Sequence, residues 1–332
     1  MKILVIRFSS IGDIVLTTPV VRCLKQQLPD AEVHFLTKSS FAGLVSNNPF
    51  IDKVHVLEDD LGSVISDLKK EKFDFIADLH HNLRSARVKA ALGVKSAAFN
   101  KLNIEKWLLV NLKVNRMPAA HIVDRYMQTV ASLGVKYDGG GLDYFIPEKY
   151  RVHTGEFPES FHKGYYAFVI GAKHTTKRLP DAKIAEIINH INLPVVLLGG
   201  KEDQESAEAI TAQTGSLVFN ACGRYGLNGS ASLVQQSKFV ITHDTGLMHI
   251  AAALRKRIIS VWGNTVPEFG MVPFLPYGEG ETVIIENKNL SCRPCSKIGY
   301  DQCPKGHFKC MTDIDADQIR AQAHRLWNQS DN

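Results

Sequence analysis

The stretch "VITHDTGLMHIAAAL", residues 240–254, runs a buried strand straight into a buried helix, yet Asp244, Thr245, Gly246 and His249 sit at or just past the joint. A short apolar run feeding a helix-period segment is half of a β-α unit, and the same alternation recurs along the chain. Such repetition argues for an α/β fold with parallel sheets. In the first half the expected strands are "KILVIRF" (2–8), "AEVHFLT" (31–37), "KVHVL" (53–57) and "FDFIADL" (73–79). In the second they are "YYAFVIG" (165–171), "PVVLLGG" (194–200), "KFVITHD" (238–244) and "KRIISVWG" (256–263). Between the halves, residues 137–164 lose periodicity and carry five glycines and two prolines, the composition of a linker. Two domains, 1–150 and 151–314, follow, with a capped helix over 315–332 closing the fold. Open parallel sheets bind ligands beyond the carboxyl ends of their strands, so functional residues are expected just after strands, facing a cleft.

Composition sets the broad class. At 332 residues the chain exceeds the size at which a single core stops growing. A hydrophobic content of 45% and a charged content of 22% are those of a soluble globular protein. No apolar run approaches the roughly 18 residues that span a bilayer. The start "MKILVIRFSS" is too short an apolar stretch for a secretory signal, so a cytoplasmic location is expected. The net charge of +5 permits an anionic ligand or membrane surface; nothing indicates nucleic acid. The tail "CRPCSKIGYDQCPKGHFKC" (292–310) spaces Cys292, Cys295, Cys303 and Cys310 with His307 in the manner of a zinc ligand set. In a cytosolic protein, reduced and partly buried thiols are the ordinary state of such cysteines.

Five strand ends carry polar clusters. "RFSSIGDIVL" (7–16) places Ser9, Ser10 and Gly12 in a tight turn and Asp13 at the start of a helix, either as a cap or as a carboxylate aimed into the cleft. "VIGAKHTTKRLP" (169–180) gathers cations and hydroxyls, among which Lys177 is a point charge and Arg178 a fork for oxygen pairs. Asp244, Thr245 and Gly246 open a helix whose free amides suit an anion, with His249 one turn further on, facing either the same phosphate or the core. Two phosphate-friendly strand ends in one half suggest a diphosphate site. "DLHHNLRSARVKAALG" (78–93) offers His80, His81, Asn82, Arg84, Arg87 and Lys89 as a basic lip or as the solvated face of a helix. In "GGKEDQES" (199–206), Glu202 or Asp203 could accept from ribose hydroxyls or cap the next helix.

Together these residues resemble glycosyltransferase family 9, the ADP-heptose:lipopolysaccharide heptosyltransferases. The opening strand and Ser-Ser-Gly-Asp turn, the "KRLP" segment and "HDTGLMHIAAAL" carry the likeness, which extends over nearly the whole chain. Leu179 stands where the family has tryptophan, and Arg7 where lysine is frequent. The resemblance implies a GT-B architecture: two Rossmann-like domains facing across a cleft, an acceptor-binding first domain, a nucleotide-sugar-binding second domain, and a last helix returning to the first. It implies inverting transfer from ADP-heptose to an acidic lipid A and core acceptor, without catalytic metal or other cofactor, with peripheral contact at the cytoplasmic face of the inner membrane. By position, Asp13 is then the base. Lys177, at the diphosphate or developing charge, is catalytic with Asp13 and also binds the donor, with Asp244, Thr245, Gly246 and His249; the residue pattern itself adds Arg178 and Glu202 to the donor site. Arg7, Ser9, Ser10, Gly12, His80, Asn82, Arg84 and Arg87 serve the acceptor. A related transferase with another nucleotide-sugar or acceptor, and a nucleotide-binding protein without turnover, are the competing readings.

Overall fold

The structure is a computed structural model describing residues 1–329, and its chain divides into two compact units. The first comprises Met1–Leu102 and Ala119–Phe145; the second takes Asn103–Pro118 and the chain from Ile146 onward.

In the first unit, β1 (Lys2–Ile6), β2 (Glu32–Lys38), β3 (Lys53–Leu57), β4 (Phe75–Asp78) and β5 (Lys95–Ala98) form one parallel sheet in the order β3-β2-β1-β4-β5. The central strands are buried along nearly their whole length, which is why they read as continuous apolar runs. Leu4, Ile6 and Ile76 pack with Leu68 and Val88 from the covering helices.

In the second unit, β6 (Tyr166–Val169), β7 (Val195–Leu198), β8 (Val218–Asn220), β9 (Phe239–His243), β10 (Arg257–Trp262) and β11 (Thr282–Glu286) form a parallel sheet in the order β11-β10-β9-β6-β7-β8. Both sheets are doubly wound. Each therefore has a switch point where the winding direction reverses, between β1 and β4 in the first and between β6 and β9 in the second.

Three expectations about domain limits are corrected. The helix Ala316–Asn328 packs within the second unit, against the helix Asp181–Ile191, because Ile319, Ala323 and Leu326 belong to that unit's core. Positions 330–332 of the expected last segment lie outside the described residues. The segment Asn103–Pro118, inside the expected first domain, joins the second unit through Leu109, Val110 and Met117, which meet Val266 and Phe269. The stretch from residue 137 is also not a loose linker at its start. Buried Arg22 donates to Asp138 at 2.7 and 2.8 Å, to the Gly141 carbonyl at 2.9 Å, and to Asp143, tying 138–143 to the helix Thr18–Gln27.

That clamp yields a prediction. Removing one member of a buried, hydrogen-bonded ion pair strands its partners, at a cost of about 3 kcal/mol or more. Arg22→Met should lower the stability of the first unit by about that amount, and Arg22→Lys should recover little because an ammonium lacks the planar fork. Urea unfolding followed by circular dichroism reads both; an unchanged midpoint for Arg22→Met would refute the clamp.

Candidate active site

The polar groups collect at the two switch points. In the first unit, the helix Ile11–Val15 begins directly after β1, and Asp13 closes a capping box: its Oδ2 accepts from Ser10 N at 3.2 Å and Ser10 Oγ at 2.8 Å. Its Oδ1 lies 2.8 Å from Arg7 Nη2. Arg7 in turn donates to the Ser9 carbonyl at 2.7 Å, the Leu79 carbonyl at 2.5 Å and Tyr126 Oη at 3.0 Å. Burial alone would make this guanidinium easier to deprotonate, but the surrounding Tyr126 and Asp13 outweigh it and its pKa is raised. Arg7 is thus an internal anchor for Asp13.

Across the switch point, Asp78 ends β4 fully buried. It accepts from His80 N at 3.1 Å, His81 N at 2.7 Å and Ser85 Oγ at 2.8 Å, and pairs with Lys89 at 2.9 Å. Burial opposes its charge, yet these donors win and its pKa is lowered. Asp78 is not among the residues singled out from the sequence, where its one signal is a carboxylate at the end of an apolar strand. The expected basic lip shrinks accordingly. Lys89 is neutralised by Asp78, and Asn82 caps the helix Leu83–Leu92 by accepting from Ser85 N at 3.0 Å. His80 stacks edge-on to Phe8 and is pushed down to about 4 by burial, then by Arg7 and Lys101, so it is a neutral ring at pH 7. Arg84 and Arg87 remain exposed.

In the second unit the structure brings two of the expected motifs together. Lys177, on the loop after β6, places Nζ 2.6 Å from Asp244 Oδ2 after β9, and Thr265 Oγ1, after β10, donates to the same oxygen at 2.9 Å. Thr245 caps the helix Gly246–Ala253 with an extended backbone, leaving that helix's first amides beside the pair. Arg178 pairs with Asp203 at 3.0 Å, and Asp203 also accepts from Gly200 N at 2.8 Å. Glu202 is exposed at the end of β7, its carboxylate lying over Gly200 where a Cβ would collide at 2.3 Å. His249 is only 2% exposed.

Supports that do not stand out in the sequence hold this arrangement. His243 Nε2 accepts from Leu179 N at 3.1 Å, joining the "KRLP" loop to the strand before Asp244. Arg293, in sequence only a spacer between cysteines, is buried and donates to the carbonyls of Trp262 (3.2 Å), Thr265 (3.1 Å) and Asn287 (2.6 Å) and to Gly263, while pairing with Glu286 at 3.0 Å. Thr176 exchanges hydrogen bonds with the Tyr300 backbone at 2.8 to 3.1 Å. The cysteine tail therefore braces the loops around Lys177. Among the described residues no disulfide joins its four cysteines or Cys23 and Cys222, and Cys292 Sγ lies 3.8 Å from His307 Nε2. Among the described residues, the tail's sulfurs do not form a group of three ligand atoms within 4.8 Å of one another. A cavity of about 540 Å³ beside β11, lined by Ile284, Asn287, Asp313 and Gln318, shares no residue with either switch point.

Two doubly wound units, each with a parallel sheet and its own switch point, are the parts of the GT-B fold. Residues 61–304 match the family described as Glycosyltransferase family 9 (heptosyltransferase), and the chain belongs to that family. It is 24% identical over 353 residues to lipooligosaccharide heptosyltransferase 2 of Haemophilus ducreyi, covering 98% of this chain and 99% of that one. Among solved structures, a family 9 glycosyl transferase from Veillonella parvula superposes with a TM-score of 0.78 at 20% identity, covering 99% of this chain and 98% of that one. The E. coli ADP-heptose lps heptosyltransferase II superposes at 0.74 with 22% identity, covering 98% of both.

The His243 bond sets a pH dependence. Burial pushes this imidazole down to about 3, against about 6.5 in an unfolded chain. Between those values the unfolded state binds a proton that the folded state refuses. Stability is therefore full above about pH 6.5 and falls on acidification, by up to about 1.4 kcal/mol per pH unit for this group. All three tryptophans (107, 262 and 327) lie in the second unit, so their fluorescence reports its unfolding alone. Urea midpoints should drop from pH 7 to pH 5, and less so for His243→Gln, whose amide oxygen can still accept from Leu179 N. Equal drops in both proteins would remove His243 from this role.

Proposed function

We propose that this protein transfers heptose, with inversion, from ADP-heptose to the acidic inner core of a lipopolysaccharide precursor. The observation that carries the reading is the Lys177–Asp244 pair at the second unit's switch point, beside the N-terminus of helix Gly246–Ala253, in a heptosyltransferase-family chain. When the bond from sugar to diphosphate breaks, negative charge grows on the leaving group. Fixed dipoles and cations that bind that charge more tightly in the transition state accelerate the step. A carboxylate beside phosphates would repel them, so Asp244 serves by aiming Lys177 while Lys177 and Thr265 offset its charge. Arg178, Glu202, Thr245 and Gly246 complete the donor site, and His249 lies beneath it. In the first unit Asp13 takes the proton of the attacking hydroxyl, with Ser9, Ser10 and Gly12 shaping its turn and Arg7 fixing its carboxylate. Arg84 and Arg87, with Asn82 and the neutral His80 nearby in sequence, meet the acidic acceptor. No metal or other cofactor is assigned a step.

Contact with the inner membrane is part of the proposal. Among the described residues no helix is long and apolar enough to cross a bilayer. Surface binding is another matter. In the segment Asn103–Pro118, Leu109 faces the protein while Ile104, Trp107, Leu112 and Val114 are exposed, interleaved with Lys106, Lys113 and Arg116. An exposed aromatic and aliphatic surface with basic neighbours suits an anionic lipid interface.

Asp13→Asn should reduce transfer of labelled heptose by about a hundredfold or more while leaving ADP affinity nearly intact. Normal turnover would eliminate Asp13 as the base. Lys177→Ala should reduce kcat, since it removes charge stabilisation that matters most in the transition state. Binding of ADP-heptose with neither transfer nor hydrolysis, in the presence of core precursors, would favour a nucleotide-binding protein without turnover. For the lipid surface, Trp107→Ser combined with Leu112→Ser should release the protein from anionic vesicles in a sedimentation assay. Undiminished sedimentation would rule that surface out.

A further inference from the structure

The side chains of His34, His55 and Glu71 offer three ligating atoms that all lie within 4.8 Å of one another, among strands β2 and β3 and the end of helix Leu61–Glu71. None of them takes part in the proposed transfer. From this geometry we propose that the first unit holds a zinc-class divalent metal ion on His34 Nδ1, His55 Nε2 and a Glu71 carboxylate oxygen, pinning that helix to the sheet.

The tautomers support it. His34 Nε2 lies 2.8 Å from Glu32 Oε1, and a carboxylate only accepts, so Nε2 carries the proton and the lone pair of a neutral ring is on Nδ1. That lone pair faces His55 Nε2 at 2.9 Å. A carboxylate that holds the far nitrogen of an imidazole is the recurrent second contact of metal-bound histidine, because it fixes the ring and raises its basicity. Without an ion, His55 donates to His34. With one, His55 moves its proton to Nδ1 and both lone pairs converge.

The distances are close to what is needed. Zinc–nitrogen bonds of about 2.0–2.1 Å in a tetrahedron set the two nitrogens roughly 3.3 Å apart, so the rings must part by only about 0.4 Å. Two imidazoles and one carboxylate are a frequent three-residue zinc set, the fourth position being left to water.

Charge is the main objection, and the surroundings meet it in part. Lys2 Nζ is 3.1 Å from Glu71 and 3.2 Å from Glu32, and Lys53 also bonds Glu71. These two carboxylates and two ammonium groups cancel before any ion arrives. Lys53 has a side chain that is 54% exposed and can turn to water, freeing one Glu71 oxygen, and Asp67 lies within electrostatic reach of His55. Phe73 packs edge-on against both rings and shields them.

The test uses the full chain, stripped with a chelator and titrated with Zn²⁺ or Co²⁺. One Co²⁺ should bind with the visible bands of a four-coordinate nitrogen and oxygen site. X-ray absorption of the zinc form should show a nitrogen and oxygen shell near about 2.0–2.1 Å. Glu32→Gln, at a largely solvent-facing position, should weaken zinc binding about 10- to 100-fold, and His55→Gln should weaken it further. Cys303→Ser should leave it unchanged. A sulfur shell near about 2.3 Å, uptake lost in Cys303→Ser but kept in Glu32→Gln, or no uptake at all would each overturn the proposal. X-ray absorption needs no variant, so the site can be refuted even where His55→Gln fails to fold. The outcome is independent of the proposed transfer.

Discussion

The contact between Lys177 and Asp244 is the constraint on which the chemistry proposed for the second unit depends. A lysine side chain carries about 2 kcal/mol of rotamer entropy, and an ammonium left to wander cannot act as a fixed charge. Here Nζ is pinned at 2.6 Å by a carboxylate that a Thr265 hydroxyl holds from another side. Three strand ends, those of β6, β9 and β10, are thereby joined by one oxygen atom. Both partners are mostly buried, with side chains 16% and 12% exposed, so separating them would leave charge poorly solvated.

Behind that contact stand groups that never need to touch a substrate. Arg293 gathers carbonyls from the end of β10, including that of Thr265, and so fixes the hydroxyl that fixes Asp244. His243 does the same for the loop, because its lone pair receives Leu179 N and the loop cannot drift from β9 while that bond holds. Leu179 itself is buried at the position where the family has tryptophan. The loop is anchored through a backbone N–H, which any residue but proline provides, so the change from an indole to an isobutyl group does not remove the anchor.

Much of this organisation is written in the sequence, and what is hidden has identifiable causes. Strands β1, β4, β6, β7, β9 and β10 are legible because parallel strands covered on both faces are continuous apolar runs. Strands β5, β8 and β11 are not, since "KSAA" and "VFN" are short strands and "TVIIE" holds only three consecutive apolar residues. The joining of Asn103–Pro118 to the second unit is a fact of space that chain order conceals. In the sites, Asp13, Lys177 and Asp244 stand out because polar residues at strand ends break a hydrophobic pattern. Arg293 and Asp78 do not, because a charged residue in a sequence reads as surface until its partners are known.

A helix cap and the base proposed here look like rival roles for Asp13, but its two oxygens have different partners. A carboxylate has two oxygens: one holds the Ser10 amide and hydroxyl, and the other meets Arg7. In the proposed reading, capping gives the base its rigidity. Arg7 is itself held by two backbone carbonyls and the Tyr126 hydroxyl, so the carboxylate's position is set by the fold. A base that must not reorganise during proton transfer gains from that arrangement, because the cost of orienting it has been met in folding. The same logic holds at the other switch point, where Asp244 orients a cation. In each unit a carboxylate and a cation fix one another, and the folded chain supplies geometry that water could not.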